Sequence, residues 1–183
     1  MKTSKIKMNW HALLIAIFAS TTIMTASAET TSNVLSRSII IRDTKESKEV
    51  KSLSKGYTTT NYQDLTYYQS KGRYYVEVAD GYKTVAPPTG ITVSELPKGY
   101  SVVSVLNRKF YSCRGVIYKE SSSGGYEIAL PEIGMILPEL PEADIREVLI
   151  DGDLYFEVAG FVYKSVASDE QYVVVCTFDS LNV

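Results

Sequence analysis

Two adjacent aromatics, three residues, a glycine, two residues and a tyrosine recur three times along this chain. The copies are Tyr67-Tyr68 with Gly72 and Tyr75, Phe110-Tyr111 with Gly115 and Tyr118, and Tyr155-Phe156 with Gly160 and Tyr163. The glycines lie 43 and 45 residues apart. A second block keeps step. Tyr82, Pro87, Gly90, Leu96 and Pro97 are matched at an offset of 44 by Tyr126, Pro131, Gly134, Leu140 and Pro141. Tyr172 opens the same segment of the third copy, which has no proline block. Matches at nearly fixed spacing constrain the chain to a tandem array of one structural unit.

The unit reads as β-structure. Segments 74–78, 101–105 and 172–178 are β-branched or aromatic and bounded by turn residues, the composition of strands. With Gly72, Gly115 and Gly160 second in two-residue hairpin turns, each supplies the positive φ that such a turn requires. Counting outward sets Tyr68 opposite Tyr75, Tyr111 opposite Tyr118 and Phe156 opposite Tyr163. Such cross-strand pairs contribute roughly 0.2–1 kcal/mol each. On the other face Tyr67, Phe110 and Tyr155 fall opposite Val76, Lys119 and Lys164, and lysine stems over rings suit a solvent-facing surface. A further hairpin precedes each copy, with Asp151-Gly152 its clearest turn. The expectation is an all-β fold: three tandem antiparallel units of about four strands each, after a signal peptide and a polar N-terminal arm. The units span about 57–99, 100–144 and 145–178 within a repeat domain at 57–183.

Residues 1–28 read as a secretory signal. Lys2, Lys5 and Lys7 precede an apolar stretch from Ala12 to Ala19, and Ala26-Ser27-Ala28 offers small residues for cleavage after Ala28. An uncleaved anchor is the alternative, but an apolar core of about a dozen residues is short of the ~20 that span a bilayer. Cleavage takes the formal net charge from −2 to −5, because three lysines leave and no acid does. It also removes His11 and Trp10, the sole residues of their kinds. A mature chain without histidine excludes Ser–His and Cys–His nucleophiles and imidazole-bound metals. Residues 29–56 carry a mixed-charge run at 42–51 and read as a polar arm or linker. Ile39-Ile40-Ile41 is its one apolar cluster, a candidate short strand, and a short charged helix is the alternative for the run. Export makes a disulfide between Cys113 and Cys176 chemically permissible, against two buried thiols acting as small hydrophobes.

Little catalytic equipment remains. Glu77, Glu157, Asp151, Asp153, Glu139 and Glu142 are the carboxylates open to acid/base work, with nothing to mark out a pair. Asp151-Gly152-Asp153 resembles a fragment of a calcium loop, although a hairpin turn explains it. Tyr163-Lys164 is repeated by Tyr118-Lys119 and belongs to the scaffold. The Ser121–Gly125 turn lacks a Walker-type lysine, and a chain of charge −5 without a basic patch is a poor partner for nucleic acid. No cofactor is expected. The fourteen tyrosines are the remaining feature. Along repeated hairpins, Tyr68, Tyr75, Tyr111, Tyr118, Phe156 and Tyr163 are candidate ligand-binding aromatics, able to stack on sugar rings or peptides. They are equally good strand residues that cover a half-buried sheet.

These motifs resemble a family of uncharacterised exported bacterial proteins with Tyr-rich repeats. Tyr67-Tyr68, Gly72, Tyr74-Tyr75, Gly81-Tyr82, Pro87-Pro88, Gly90 and Leu96-Pro97-Lys98-Gly99-Tyr100 carry the resemblance. The second copy keeps Gly125-Tyr126, Pro131, Gly134 and Leu140-Pro141 but has Glu132 for the second proline and Glu142-Ala143 for Lys-Gly. The resemblance covers about residues 57–178 and implies a signal-bearing envelope protein without catalytic residues. A more distant likeness is to cell-wall-binding repeats, which rely on tryptophan that the mature chain lacks. The expected role is that of an exported, non-catalytic β-repeat protein of the bacterial periplasm or cell surface, structural or binding. A glycan- or cell-wall-binding module using the hairpin tyrosines is the alternative, and a carboxylate hydrolase is further off. Envelope polysaccharide, peptidoglycan or another envelope protein are the expected partners, with no transmembrane segment after cleavage.

Overall fold

The computed structural model describes residues 38–166 and 170–181. The signal segment, its Ala28 junction and the start of the arm lie outside those residues. In chain order the strands are β1 (Ile39–Lys45), β2 (Glu49–Val50), β3 (Thr58–Tyr62), β4 (Leu65–Ser70), β5 (Arg73–Val78) and β6 (Gly81–Val85). Next come β7 (Thr92–Val93), β8 (Ser101–Val105), β9 (Arg108–Cys113), β10 (Val116–Glu120), β11 (Tyr126–Ala129) and β12 (Ile136–Leu137). The last are β13 (Ile145–Ile150), β14 (Asp153–Val158), β15 (Phe161–Val166) and β16 (Gln171–Thr177), followed by a 3-10 turn at Phe178–Leu181. The all-β class and the three antiparallel units are as the repeat requires.

Each unit is a four-strand meander joined by hairpins. Lys71-Gly72, Arg114-Gly115, Ala159-Gly160 and Asp151-Gly152 all have positive φ at both positions, the twist-compatible two-residue turn. Tyr68 pairs with Tyr75, Tyr111 with Tyr118 and Phe156 with Tyr163, the register counted from the sequence. To each meander a two-residue strand from the preceding segment adds beside its last member. The first sheet is β2-β6-β5-β4-β3, the second β7-β11-β10-β9-β8, and the third β12-β16-β15-β14-β13-β1.

The arm departs from the tether expected of it. β1 lies along β13, Ile39 opposite Ile150 and Ile41 opposite Val148, because a β-branched triplet satisfies its backbone groups at an open sheet edge. β2 pairs with β6 and is the counterpart of β7 and β12. The repeat therefore begins before Tyr57. Leu53-Ser54-Lys55-Gly56-Tyr57 matches Leu96-Pro97-Lys98-Gly99-Tyr100 at an offset of 43, and a serine in place of the proline hid it.

The sheets pack in sequence order through opposite faces. Tyr74 of the first sheet joins Tyr111, Val116, Tyr118 and Ile128 of the second in one core cluster, with Ile91 of the connector. From its other face the second sheet sends Val103, Phe110 and Ile117 against Val158, Tyr163 and Val174 of the third. The Phe110 face is thus not solvent-facing, because a stacked middle sheet has two covered faces. In the third unit the expected pairing forms, the Lys164 ammonium lying 5.1 Å from the centre of Tyr155, while in the second the ring covered is Tyr111, by Lys109 at 5.1 Å. Beyond it, Val148, Ile150 and Val162 are closed over by Leu181 of the terminal turn.

The proline blocks act at the hairpin turns. Gly115 sits on the Leu140-Pro141 connector, where an added Cβ would lie 2.7 Å from the Pro141 Cα and closer still to its backbone nitrogen. At Gly72 an added Cβ would instead clash with the Cys113 sulfur at 2.5 Å and only touch the Pro97 side chain at 3.5 Å. At Gly160 of the third copy, by contrast, nothing among the described residues comes within 4 Å of an added Cβ. Cys113 and Cys176 are both free, so the permissible disulfide does not form. Cys113 belongs to the core between the first and second sheets, and Cys176 packs against the outer cluster of the third.

Candidate binding surface

Burial separates the six candidate rings. Tyr118 and Tyr163 are 0 and 1 % exposed, Tyr111 6 % and Tyr75 8 %. They are core residues and offer no face to a ligand. Tyr118 donates its hydroxyl to that of Tyr74 at 3.3 Å, and burial pushes the Tyr118 and Tyr163 phenols far above their ordinary range. Phe156 is half-buried, edge-on to Tyr172 at 5.8 Å where the third sheet meets the second. Tyr68 is the remaining candidate.

Tyr68 sits in the middle of three rings. Tyr57 meets it edge-to-face at 5.7 Å and Tyr82 at 5.0 Å, spacings at which ring quadrupoles attract. Its hydroxyl donates to Glu77 at 3.4 Å, and desolvation, then the Glu77 charge, holds the phenol above its ordinary range. The second unit repeats the device with Tyr100, Tyr111 and Tyr126 at 5.6 and 5.2 Å, and Tyr111 donates to Glu120 at 2.9 Å. Sequence reasoning used Tyr82 and Tyr126 only as repeat markers and left Tyr57 unassigned. The offset of 43 between Tyr57 and Tyr100 was the available signal.

The two triads differ in what covers them. Tyr111 and Tyr126 are packed by the first sheet. Among the described residues no sheet packs on the outer face of the first, and Tyr57, Tyr68 and Tyr82 belong to no core cluster. The outer rings Tyr57 and Tyr100 are alike, 44 and 46 % exposed, and the difference lies in the middle ring, buried at Tyr111 and half-buried at Tyr68. The turn end of this face is closed, the Thr84 hydroxyl donating to the Lys48 carbonyl at 3.2 Å and Arg73 pairing with Glu142 at 2.6 Å. Strand alternation places Thr59, Asn61, Thr66 and Glu77 on the Tyr68 side, with Thr66 donating to Asn61 at 2.9 Å. The exposed end is therefore aromatic and neutral-polar with one carboxylate.

The other carboxylates have structural partners. Glu157, 5 % exposed, accepts from Arg146 at 2.5 Å and from the Gly160 amide at 2.7 Å. Glu139 pairs with Arg114, and Glu142 with Arg73. Asp151 accepts from the Ser38 amide, and Asp153 pairs with Lys164, which explains Asp151-Gly152-Asp153 as a hairpin turn. Among the described residues no three His, Cys, Asp or Glu side chains converge on a point that could hold a metal ion. Nor is any described helix long and apolar enough to cross a membrane.

Over residues 47–177 the sequence matches a family of unknown function, DUF6515. The match starts at the arm segment that the fold assigns to the first repeat. Neither the curated proteins nor the solved structures give a match to the chain.

Proposed function

The chain belongs to the DUF6515 family, which brings no function with it, and we propose that it is an exported, non-catalytic glycan-binding protein of the bacterial envelope. The carrying observation is that one of two equivalent tyrosine triads has no sheet against it among the described residues. Tyr57, Tyr68 and Tyr82 present amphipathic rings beside Glu77 and the Thr59, Asn61 and Thr66 side chains. Rings with negative faces suit the C–H faces of sugars, and the neighbouring oxygens and amide suit their hydroxyls. One carboxylate among neutral groups favours an uncharged polysaccharide or the glycan strand of peptidoglycan over a polyanion. The export signal at residues 1–28 supplies the compartment, the periplasm or cell surface.

Purified mature protein is incubated with cell-wall sacculi and neutral envelope polysaccharides and then sedimented. Retention that falls at least about tenfold (some 1.4 kcal/mol) in Tyr57→Ala/Tyr82→Ala, with the fold intact by circular dichroism, supports the proposal. Absence of retention, or full retention by the double variant, overturns it in favour of a purely structural role or a protein partner. Intact mass of the exported product tests cleavage after Ala28.

A further inference from the structure

We infer that the middle repeat carries a second, separate ligand site, for a short dipolar peptide bearing both a free ammonium and a free carboxylate. The outer end of the second sheet forms an open groove of about 810 Å³ on the face turned toward the third sheet. That volume falls within the range of small-molecule sites. Its floor is Phe110 and Ala129, and the Leu130–Glu132 connector forms a wall.

Two ion pairs stand on that face: Arg108 with Glu132, and Lys119 with Glu127 at 2.8 Å. Lys109 and Glu120 border the groove but pair across the opposite face, beside Tyr111. The cationic partners on that face are both about half exposed. Exposed pairs contribute little net stability, so opening one costs little. A ligand that supplies both signs replaces what each partner loses. Two cations against two anions leave this face of the groove without net charge, which disfavours polyanions and polycations alike.

The scaffold does not require these charges. At the positions of Arg108, Lys119 and Glu127 the first repeat has Leu65, Val76 and Lys83, and the third has Asp153, Lys164 and Val173. The middle repeat also has Leu106 where the others turn with Gln63 and Asp151. Leu106 is 81 % exposed at φ +47°, a conformation that leucine rarely adopts and that clusters at functional sites. Within the groove itself Leu130, 58 % exposed on the wall, supplies the apolar anchor beside the charges.

The test uses the tetrapeptide Ala-Ala-Ala-Ala with free termini, whose only charges are its terminal ammonium and carboxylate, titrated into the mature protein and followed by amide NMR. Saturable shifts at Gly90, Phe110, Lys119 and Leu130 are expected, and they are lost with the N-acetylated, C-amidated peptide. The exchange Lys119→Glu/Glu127→Lys keeps an ion pair in place but reverses its direction, and is expected to weaken binding about tenfold. No saturable shift overturns the site, as does equal binding by the blocked peptide or by the exchange variant in its folded form. Shifts confined to Tyr57, Tyr68 and Tyr82 also overturn it, assigning the peptide to the tyrosine face. The Tyr57→Ala/Tyr82→Ala variant is expected to bind the peptide normally, so failure of the glycan proposal leaves this one standing.

Discussion

Replacing Gly115 by alanine tests the way one repeat is seated on the next. Two costs are expected. A non-glycine residue in the left-handed region costs about 1–2 kcal/mol. The new Cβ also meets the Leu140-Pro141 backbone at less than van der Waals distance, and overpacking of this kind costs about 1–3 kcal/mol. Gly160 is the control. It has the same place in its turn and a φ of +85°, but nothing among the described residues lies within 4 Å of an added Cβ. Gly160→Ala therefore bears only the first cost, and the gain from a stiffer unfolded chain, roughly 0.4–1 kcal/mol, is common to both. The difference of about 2 kcal/mol is expected to set Gly115→Ala roughly 4–8 °C below Gly160→Ala in Tm. Urea unfolding of both variants gives the same comparison at 25 °C. Equal destabilisation would refute the argument that the proline connector clamps the hairpin turn.

Further outcomes follow from the buried and charged groups. Tyr118→Phe strands the Tyr74 hydroxyl and is expected to cost about 1–2 kcal/mol by urea unfolding, much of it recovered in Tyr74→Phe/Tyr118→Phe. Glu157→Gln weakens a buried ion pair to Arg146 that is open on the arginine side and is expected to cost roughly 2 kcal/mol, without affecting glycan retention. The Ser47 amide and hydroxyl hold Asp144 below its usual range, and the Arg73 hydrogen bond and charge do so for Glu142. Their stabilisation is therefore complete above the unfolded values near ~4 and disappears as pH falls through the lower folded values. Amide protection at residues 45–48 is expected to fall in that acid window, and less steeply in Asp144→Asn. Thiol titration of the unfolded protein is expected to find two free thiols, with Cys113 slow to react in the native state because burial raises its pKa.

Local geometry was legible in the sequence because glycine spacing carries register. Once Gly72, Gly115 and Gly160 are turn residues, the pairing of Tyr68, Tyr111 and Phe156 follows by counting. What could not be counted was stacking. Alternation tells which residues share a face, not whether another sheet covers it, and so Phe110 was expected outside and Tyr118 was taken for a possible ligand ring. The first repeat's true start was hidden for a different reason. Ser54 replaces the marker proline, and the charged residues around β2 mask a strand only two residues long. The candidate site was half legible: Tyr68 was named, but its exposure depends on no described sheet packing on the outer face of the first, which only the three-dimensional order reveals.

The pairing of β1 with β13 fixes when folding can finish. The Ser38 amide bonds to Asp151, 113 residues further on, so the first described strand waits for the last repeat to be delivered. A chain synthesised amino end first can complete its first two meanders as they emerge, through local hairpins that close early. The edge contact that ties Ile39 to Ile150 has to come after them. Until then the isoleucine triplet is an unpaired strand, open to capture by chaperones or by neighbouring chains. Its docking marks the moment at which the protein becomes one closed circuit of contacts rather than a string of hairpins.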